Sequence, residues 1–149
     1  MLESVVVPDS VTQLPARAFS GCSALASVSL PDSLTEIGTA AFSGCSALTG
    51  IRIPAAITEI INHTFSGCTS LATLEIPDSV TKIGDYAFFG CTSLTSIAIP
   101  DSVTAIGNGA FSNCTALTLT VTPDSYAAEY AKANNIPYTY PDANDWLNN

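Results

Sequence analysis

Apolar residues along this chain recur in a fixed order and at a fixed distance. A phenylalanine is followed three residues later by a cysteine and three residues after that by a leucine, and this set returns five times at a spacing of 23 residues. Its members are Phe19, Phe42, Phe65, Phe88, Phe111, Cys22, Cys45, Cys68, Cys91, Cys114, Leu25, Leu48, Leu71, Leu94 and Leu117. Such a period predicts a solenoid in which equivalent residues stack as core ladders.

Each repeat predicts two short extended segments joined by turns. The alternating sequence I-A-I at residues 97–99, followed by Pro100, is typical of a strand that ends at a residue unable to donate a hydrogen bond. Strands repeated at this interval are expected to stack in parallel, about 4.8 Å apart. Residues 80–83 predict a second extended stretch, and residues 38–44 are long enough only for a single α or 3₁₀ turn.

The apolar register shifts at the end of the array. After Leu117 the next strand falls one residue out of phase, so that Thr122 rather than an aliphatic residue precedes the next proline. Ser125 has the side chain of a helix N-cap, residues 126–133 favour a helix, and residues 136–140 favour an extended segment. The predicted organisation is an array of a half unit plus five units over 1–122, a C-terminal cap over 123–140 and a tail over 141–149.

The first strand, Val5, Val6 and Val7, belongs to the half unit and has no repeat before it in this sequence. An unpaired strand edge exposes backbone N–H and C=O groups that can pair with another chain. Two interpretations follow: the chain is the C-terminal portion of a longer array, or it associates with a second copy through this edge.

The repeat also resembles a known family. The spacing Leu25-x-x-Val28-x-Leu30-x-x-Ser33 matches the leucine-rich-repeat frame L-x-x-L-x-L-x-x-N, with serine in place of asparagine. The run I-P-D-S-V-T-x-I-G-x-x-A-F-x-G-C-x-S-L, read over residues 76–94, is similar to the BspA-like (Treponema pallidum-type) leucine-rich repeats.

This resemblance implies a leucine-rich repeat solenoid that winds as a right-handed superhelix. A parallel β-sheet would line the concave side, short extended and 3₁₀ or α turns the convex side, and a helix and strand would cap the C-terminal end. It also implies a secreted or surface-exposed bacterial protein linked to adhesion and to binding of host extracellular-matrix proteins. No signal peptide or anchor is visible in this chain, which predicts an internal or mature fragment, or a cytoplasmic protein.

Charge and hydropathy exclude several classes of partner. The net charge is −9, from 13 carboxylates and 4 basic residues, and nucleic-acid binding needs a basic surface to displace counterions. Although 47% of the residues are hydrophobic, no apolar run approaches the ~20 residues that span a bilayer. We therefore expect neither nucleic-acid binding nor membrane insertion.

The cysteines and aspartates predict no metal or other cofactor. The cysteine spacing is the repeat period, and stacked neighbours about 4.8 Å apart are too distant for a disulfide, so we expect free, buried thiols. Aspartates follow most of the repeat prolines and would line one rim, where stacked carboxylates could collect calcium. Turn formation is the favoured interpretation, because calcium needs six to eight converging oxygens. These aspartates are Asp9, Asp32, Asp78, Asp101 and Asp124.

The outward positions of the main strands predict a candidate binding face on the concave side, the usual binding side of leucine-rich repeats. Its residues are Ser27, Ser29, Gly50, Arg52, Thr73, Glu75, Ser96 and Ala98. Arg52 and Glu75 are expected to form a weak ion pair. The remaining side chains are small and uncharged, and the alternative is a solvated face without a ligand.

The third unit departs most from the repeat. Ala55 and Ala56 replace Asp-Ser, and an isoleucine replaces glycine seven residues after Pro54. Together with aromatic residues of the next unit, this region predicts an apolar and aromatic patch on the convex side; ordinary divergence of repeats is the alternative. The patch residues are Ile61, His63, Tyr86 and Phe89.

No catalytic arrangement is visible. His63 is the only histidine and has no matching nucleophile, and the carboxylates recur with the repeat. Together with this absence, the resemblance to BspA-like repeats implies a non-enzymatic module that binds a protein or glycan, with host extracellular matrix among the candidates. The alternative is a structural spacer, or a fragment of a longer array, with no ligand of its own.

Overall fold

The computed structural model describes residues 2–141, which form a stack of coils with two short strands in each repeat. The predicted tail lies outside the described residues apart from Pro141. The elements in chain order are β1 (Ser4–Val6), β2 (Gln13–Leu14), β3 (Ser27–Ser29), β4 (Glu36–Ile37), β5 (Gly50–Arg52), β6 (Glu59–Ile60), β7 (Thr73–Glu75), β8 (Lys82–Ile83), β9 (Ser96–Ala98), β10 (Ala105–Ile106), β11 (Thr118–Thr120), α1 (Tyr126–Ala133) and β12 (Tyr138–Thr139).

The strands form two parallel layers. The three-residue strands pair as β1–β3, β5–β7 and β9–β11, with the two-residue β12 added beside β11. The other two-residue strands pair as β2–β4 and β6–β8–β10. Partners lie one repeat apart, as in Val5 opposite Val28 and Ile60 opposite Ile83. The parallel stack and the second extended segment of each repeat are therefore confirmed, and the molecule has the predicted solenoid fold.

The shift in register after Leu117 is also confirmed. Leu119 lies opposite Ile97, one residue closer in sequence than the repeat period. Two residues later Val121 is 1% exposed, and it fills the interior position that Ile99 holds in the preceding coil. Compared with the preceding repeat, the chain is thus one residue shorter before β11 and one residue longer between Val121 and Pro123. Apolar side chains therefore still fill the interior, and Thr122 is the additional residue outside it.

A stack of phenylalanine rings runs through the interior. Successive rings, from Phe19 to Phe111, lie 5.3 to 5.6 Å apart between centroids and are nearly parallel. Phe42, Phe65 and Phe88 are fully buried, whereas Phe19 in the first coil is only half-buried. Each ring buries its face against the next coil, which couples neighbouring repeats through apolar contact.

The turn before each cysteine forms a third ladder between coils. In the first coil the amides of Arg17, Phe19 and Gly21 donate to carbonyls of the next coil, and the equivalent bonds recur along the stack. The alternate amides, including those of Ala18 and Ser20, donate to carbonyls three residues earlier, which is the hydrogen-bond spacing of a 3₁₀ turn.

Two positions in this turn adopt the left-handed backbone conformation. One is occupied by glycine in four coils and by Asn113 in the fifth, a residue that tolerates positive φ. The other is occupied mostly by residues with side chains: Arg17, Ala40, His63, Tyr86 and Gly109. Left-handed geometry is therefore imposed by the stack rather than by residue type at the second position.

The C-terminal end of the stack is closed by α1 and β12. Ser125 caps the helix by accepting a 3.0 Å hydrogen bond from the amide of Ala128, and the helix covers the predicted residues. Tyr130 packs edge-on against Phe111 and donates to the carbonyl of Gly107, while the hydroxyl of Tyr126 accepts from an amide of β10. β12 pairs with β11 in parallel. The cap thus covers the last ring and satisfies backbone groups at the end of both layers.

The opposite end differs. β1 pairs with β3, and no other strand of residues 2–141 pairs with its remaining edge. Val6 is 78% exposed and Leu2 is 48% exposed.

Among residues 2–141, no helix has the length and apolar composition needed to cross a bilayer.

Candidate binding surfaces

The candidate face of the three-residue strands lies outward, as a row of neighbouring side chains. Gly50 lies opposite Thr73 and Arg52 lies opposite Glu75 in adjacent strands, and all of these but Gly50 are exposed. The residue between each outward pair points inward: Ile51, Leu74 and Ile97 are buried. The structure therefore presents the eight predicted residues on one side of the strand layer, which we call the strand face.

Arg52 does not pair with the predicted partner. Its Nη1 lies 2.9 Å from Oδ1 of Asp32, so the expected Arg52–Glu75 ion pair is wrong. Asp32 has a shorter side chain than Glu75, so pairing Arg52 with Asp32 orders fewer rotatable bonds than pairing it with Glu75 would. Both partners of the observed pair are largely exposed, with 69% and 84% side-chain accessibility, so it contributes less than about 1 kcal/mol.

A hollow of about 390 Å³ interrupts the strand face at the third unit. It is lined by Ile51, Arg52, Ile53, Ala55, Glu75 and Pro77. Ala55 replaces the aspartate of the other repeats, and its short side chain leaves this space open beside Glu75. The sequence showed the substitution but not that it lies next to the two charged residues of the face.

The predicted convex patch is only partly assembled. The rings of His63 and Tyr86 stack with centroids 5.3 Å apart, and Phe89 meets Tyr86 edge-on at 5.9 Å. The Tyr86 ring also covers Gly109, where any Cβ would collide with it. Ile61 lines a cleft of about 290 Å³ with Thr35, Glu36, Thr58 and Glu59, and none of the three rings is among the residues that line it.

Ile61 has a structural consequence that the sequence did not reveal. The amides of its counterparts Gly38 and Gly84 donate to carbonyls of the preceding coil, at 2.9 and 2.7 Å. A Cβ on Gly38 would lie 2.6 Å from the backbone nitrogen of Ala16, which is too close for any side chain. The side chain of Ile61 therefore prevents the backbone of this coil from approaching the preceding coil as closely, and β4 and β6 are not paired.

Two hydrogen-bonded side chains next to the convex rings were not predicted. Oδ1 of Asn62 accepts from the amide of Asp85, and Oδ1 of Asp85 accepts from the amide of Asn108, both at 2.8 Å. These bonds link adjacent coils. The signal was available in the sequence, since asparagine or aspartate recurs at this position in three successive units.

The cysteines bond to the backbone rather than to each other. Each thiol from the second coil onward donates to the phenylalanine carbonyl of the preceding coil, at 3.0 to 3.3 Å. All five are free; Cys22 and Cys114, at the two ends, are only partly buried. Burial raises the pKa of Cys45 to about 11 and that of Cys68 to about 12. The inner thiols are therefore protonated near neutral pH and packed as core.

Two of the five aspartates of the rim make side-chain contacts within residues 2–141. Asp32 pairs with Arg52, and Asp101 accepts from the hydroxyl of Thr122. The neighbouring serines link coils: Ser33 donates to the carbonyl of Asp9 at 2.7 Å. Within residues 2–141, no three or more His, Cys, Asp or Glu side chains come together in an arrangement that could hold a metal ion.

Comparison with protein families gives a match over most of the chain. Residues 1–118 match a family model described as a BspA type leucine rich repeat region, in six copies. A search of curated proteins found no match.

Solved structures with the same fold come from several bacteria. A leucine rich cell surface protein of Faecalibacterium prausnitzii shares 40% identity over 97% of this chain and 34% of its own length, with a TM-score of 0.76. The leucine rich repeat protein of T. pallidum shares 38% identity over 80% of this chain and 58% of its own length, with a TM-score of 0.77. The pneumococcal vaccine antigen PcpA, at 21% identity and a TM-score of 0.75, shows likeness of fold alone. This chain thus spans about a third of the first relative and under two thirds of the second.

Proposed function

The chain belongs to the BspA-type leucine-rich repeat family, and from this premise we propose that it is a non-enzymatic module that binds a protein or glycan ligand on its strand face. The protein that contains this module would be a bacterial cell-surface or secreted adhesion protein, with host extracellular matrix among its targets. The description of the F. prausnitzii relative as a cell surface protein supports this location.

The observation that carries the proposal is the hollow within the strand face. The rest of the face is small and polar, and a flat surface of this kind supplies few strong contacts. At the hollow, by contrast, apolar walls from Ile53 and Pro77 lie beside the charged groups of Arg52 and Glu75. A ligand group could bury apolar area there and be oriented by charge.

The specific alternative is a structural spacer without its own ligand. The uncharged serines of β3 and the Ser96 and Ala98 side chains of β9 favour it, since they lack the aromatic and arginine anchors that dominate most interfaces. The two proposals differ in whether the strand face has any measurable affinity.

A binding array of matrix proteins and glycans separates them. The double variant Arg52→Ala/Glu75→Ala should lose at least about tenfold in affinity for any ligand that the wild type binds, as expected when a charged anchor pair is removed. A matched control is Glu36→Ala/Lys82→Ala, which changes the same two charge types in the other strand layer. Absence of binding by the wild-type chain across the array would contradict the binding proposal and leave the spacer.

The free edge of β1 supports a second proposal, self-association of two copies. Val5 is half-buried and Val6 is largely exposed beside this edge, which can accept another strand. Light scattering over a concentration series should show a dimer that Val6→Lys disrupts. A strict monomer at the highest concentration would overturn this proposal.

A further inference from the structure

A second hollow, separate from the strand face, lies where the last coil meets the cap. Its volume is about 320 Å³, and its walls include Phe111, Asn113, Cys114, Tyr130, Asn134 and Asn135. The coil contributes the turn that contains Asn113, and the cap contributes the end of α1 and the segment leading to β12. We call this hollow the cap pocket.

The cap pocket is uncharged in an acidic protein. The chain carries 13 acidic and 4 basic residues, yet none of those within residues 2–141 lines this pocket. Its polar groups are amides and hydroxyls, and three of the five asparagines within residues 2–141 are among them. Such groups both donate and accept hydrogen bonds without favouring a charged ligand.

Two of these asparagines have free side chains. The side chain of Asn134 donates to the carbonyl of Tyr130 at 2.9 Å, whereas those of Asn113 and Asn135 make no hydrogen bond within residues 2–141. Both have left-handed backbones, with φ of 62° and 56°. Backbone geometry alone does not require an amide at Asn113, because glycine fills the equivalent position in the other four coils, away from the pocket.

The remaining walls are apolar. Tyr130 contributes ring surface, Ile136 and Pro137 lie beside it, and Phe111 lies behind it at 4% exposure. A site that combines neutral hydrogen-bonding groups with ring and aliphatic surface matches the chemistry of a sugar ring, whose hydroxyls donate and accept while its C–H face is apolar. The pocket is at the lower end of the volumes seen for small-molecule sites, about 300 to 1,000 Å³, and suits one or two rings.

We propose that the cap pocket binds a single neutral saccharide unit, with Asn113 and Asn135 supplying hydrogen bonds to its hydroxyls. This site is independent of the strand face. The Arg52→Ala/Glu75→Ala variant should bind the saccharide as the wild type does, so that failure of either proposal leaves the other intact.

Neutral monosaccharides test the proposal directly. The methyl glycosides of glucose, mannose and galactose, and N-acetylglucosamine, are titrated to about 50 mM, well above a Kd on the order of 1 to 10 mM expected for so small a ligand. Side-chain amide signals of Asn113 and Asn135 in ¹⁵N NMR spectra should shift with at least one of them. The acidic sugar N-acetylneuraminate, which the chain's net charge disfavours, should give no shift at these amides.

The reactivity of a cysteine thiol reports whether the cap pocket is occupied. Cys114 lines the pocket, and Cys22 is the other partly buried thiol, at the opposite end of the stack. A bound saccharide should slow alkylation of Cys114 by iodoacetamide at least about threefold near saturation, by covering it, and leave the rate at Cys22 unchanged.

Variants that keep the backbone geometry complete the test. Asn113→Gly and Asn135→Gly suit positive φ, and each should weaken binding about fivefold, the effect of losing one hydrogen bond. Thr69→Ala is the control, because Thr69 occupies the position of the pocket residue Thr115 two coils earlier. No amide shift with any neutral saccharide, or binding that both glycine variants leave unchanged, would overturn the proposal.

Discussion

The two ends of the solenoid are built from the same repeat and differ in what covers them. At the C-terminal end, Tyr130 covers the last ring of the phenylalanine stack, Tyr126 bonds to β10, and β12 extends the strand layer. In the first coil, by contrast, Phe19 is only half-buried. Because each coil of a solenoid is stabilised mainly by its neighbours, equivalent residues should contribute unequally to stability according to their place in the stack.

Removing a phenylalanine ring should change the unfolding free energy most, and by different amounts in the first coil and in the middle of the stack. Phe65→Ala removes a fully buried side chain that stacks on both sides and should cost about 3 to 5 kcal/mol of unfolding free energy. Phe19→Ala removes a ring stacked on one side and should cost about 1 to 2 kcal/mol. Urea denaturation measures both values. Equal losses would show that position in the stack does not govern stability.

The inner thiols should make stability fall at alkaline pH. The pKa of Cys68 rises from its ordinary 9.0 to about 12 through burial, so above pH 9 the unfolded chain loses this proton while the native one keeps it. Stability is therefore full below pH 9 and decreases as pH rises towards 12, by at most about 1.4 kcal/mol per pH unit for this thiol.

Urea midpoints under reducing conditions at pH 8 and pH 10 measure this slope. Cys68→Ala lowers stability at both values by leaving a cavity, and it should make the slope shallower. A variant with the slope of the wild type would contradict the role of the Cys68 thiol.

Loss of one cap hydroxyl should have a smaller effect. Tyr130→Phe keeps the ring over Phe111 and removes the hydrogen bond to Gly107, which should cost about 1 kcal/mol. Tyr138→Phe is the control, since the hydroxyl of this exposed tyrosine makes no hydrogen bond within residues 2–141. Thermal unfolding followed by circular dichroism should give a lower Tm for Tyr130→Phe than for Tyr138→Phe. The reverse order would argue against closure of the stack by Tyr130.

Replacing a residue that has a left-handed backbone by glycine should give the smallest change in stability. Arg17 has φ of 62°, and its replacement by glycine relieves this conformation at the cost of a more flexible unfolded chain. Arg17→Gly should change stability by no more than about 1 kcal/mol, in the stabilising direction. Tyr86→Gly relieves the same conformation but also removes the ring that contacts His63 and Gly109, so it should destabilise. Equal effects of the two variants would contradict this distinction.

The sequence predicted the parts of this structure that the repeat determines. Interior positions such as Phe65 and Cys68, the register shift at Leu119 and the helix after Ser125 follow from apolar period and capping chemistry. Because every coil must match its neighbour, a column of similar residues indicates a ladder without any knowledge of the fold.

Features that depend on contacts between unlike residues could not be predicted. The left-handed backbone of Tyr86 is imposed by its coil, and nothing in the residue type indicates it. Arg52 had two carboxylates within reach, and the sequence could not decide between Asp32 and Glu75. The missing pairing of β4 with β6 likewise follows from a close backbone approach that Gly38 allows and Ile61 prevents.

Native-state hydrogen exchange tests the central claim most directly, because the same hydrogen bond occurs at both ends. The amide of Phe19 donates to Ala41 at 2.7 Å in the first coil, and that of Phe88 donates to Ala110 at 2.8 Å next to the capped coil. If the cap protects its neighbours while the first coil opens locally, the Phe19 amide should exchange at least about tenfold faster than that of Phe88 after correction for intrinsic rates. Equal rates, or faster exchange at Phe88, would contradict the difference between the two ends.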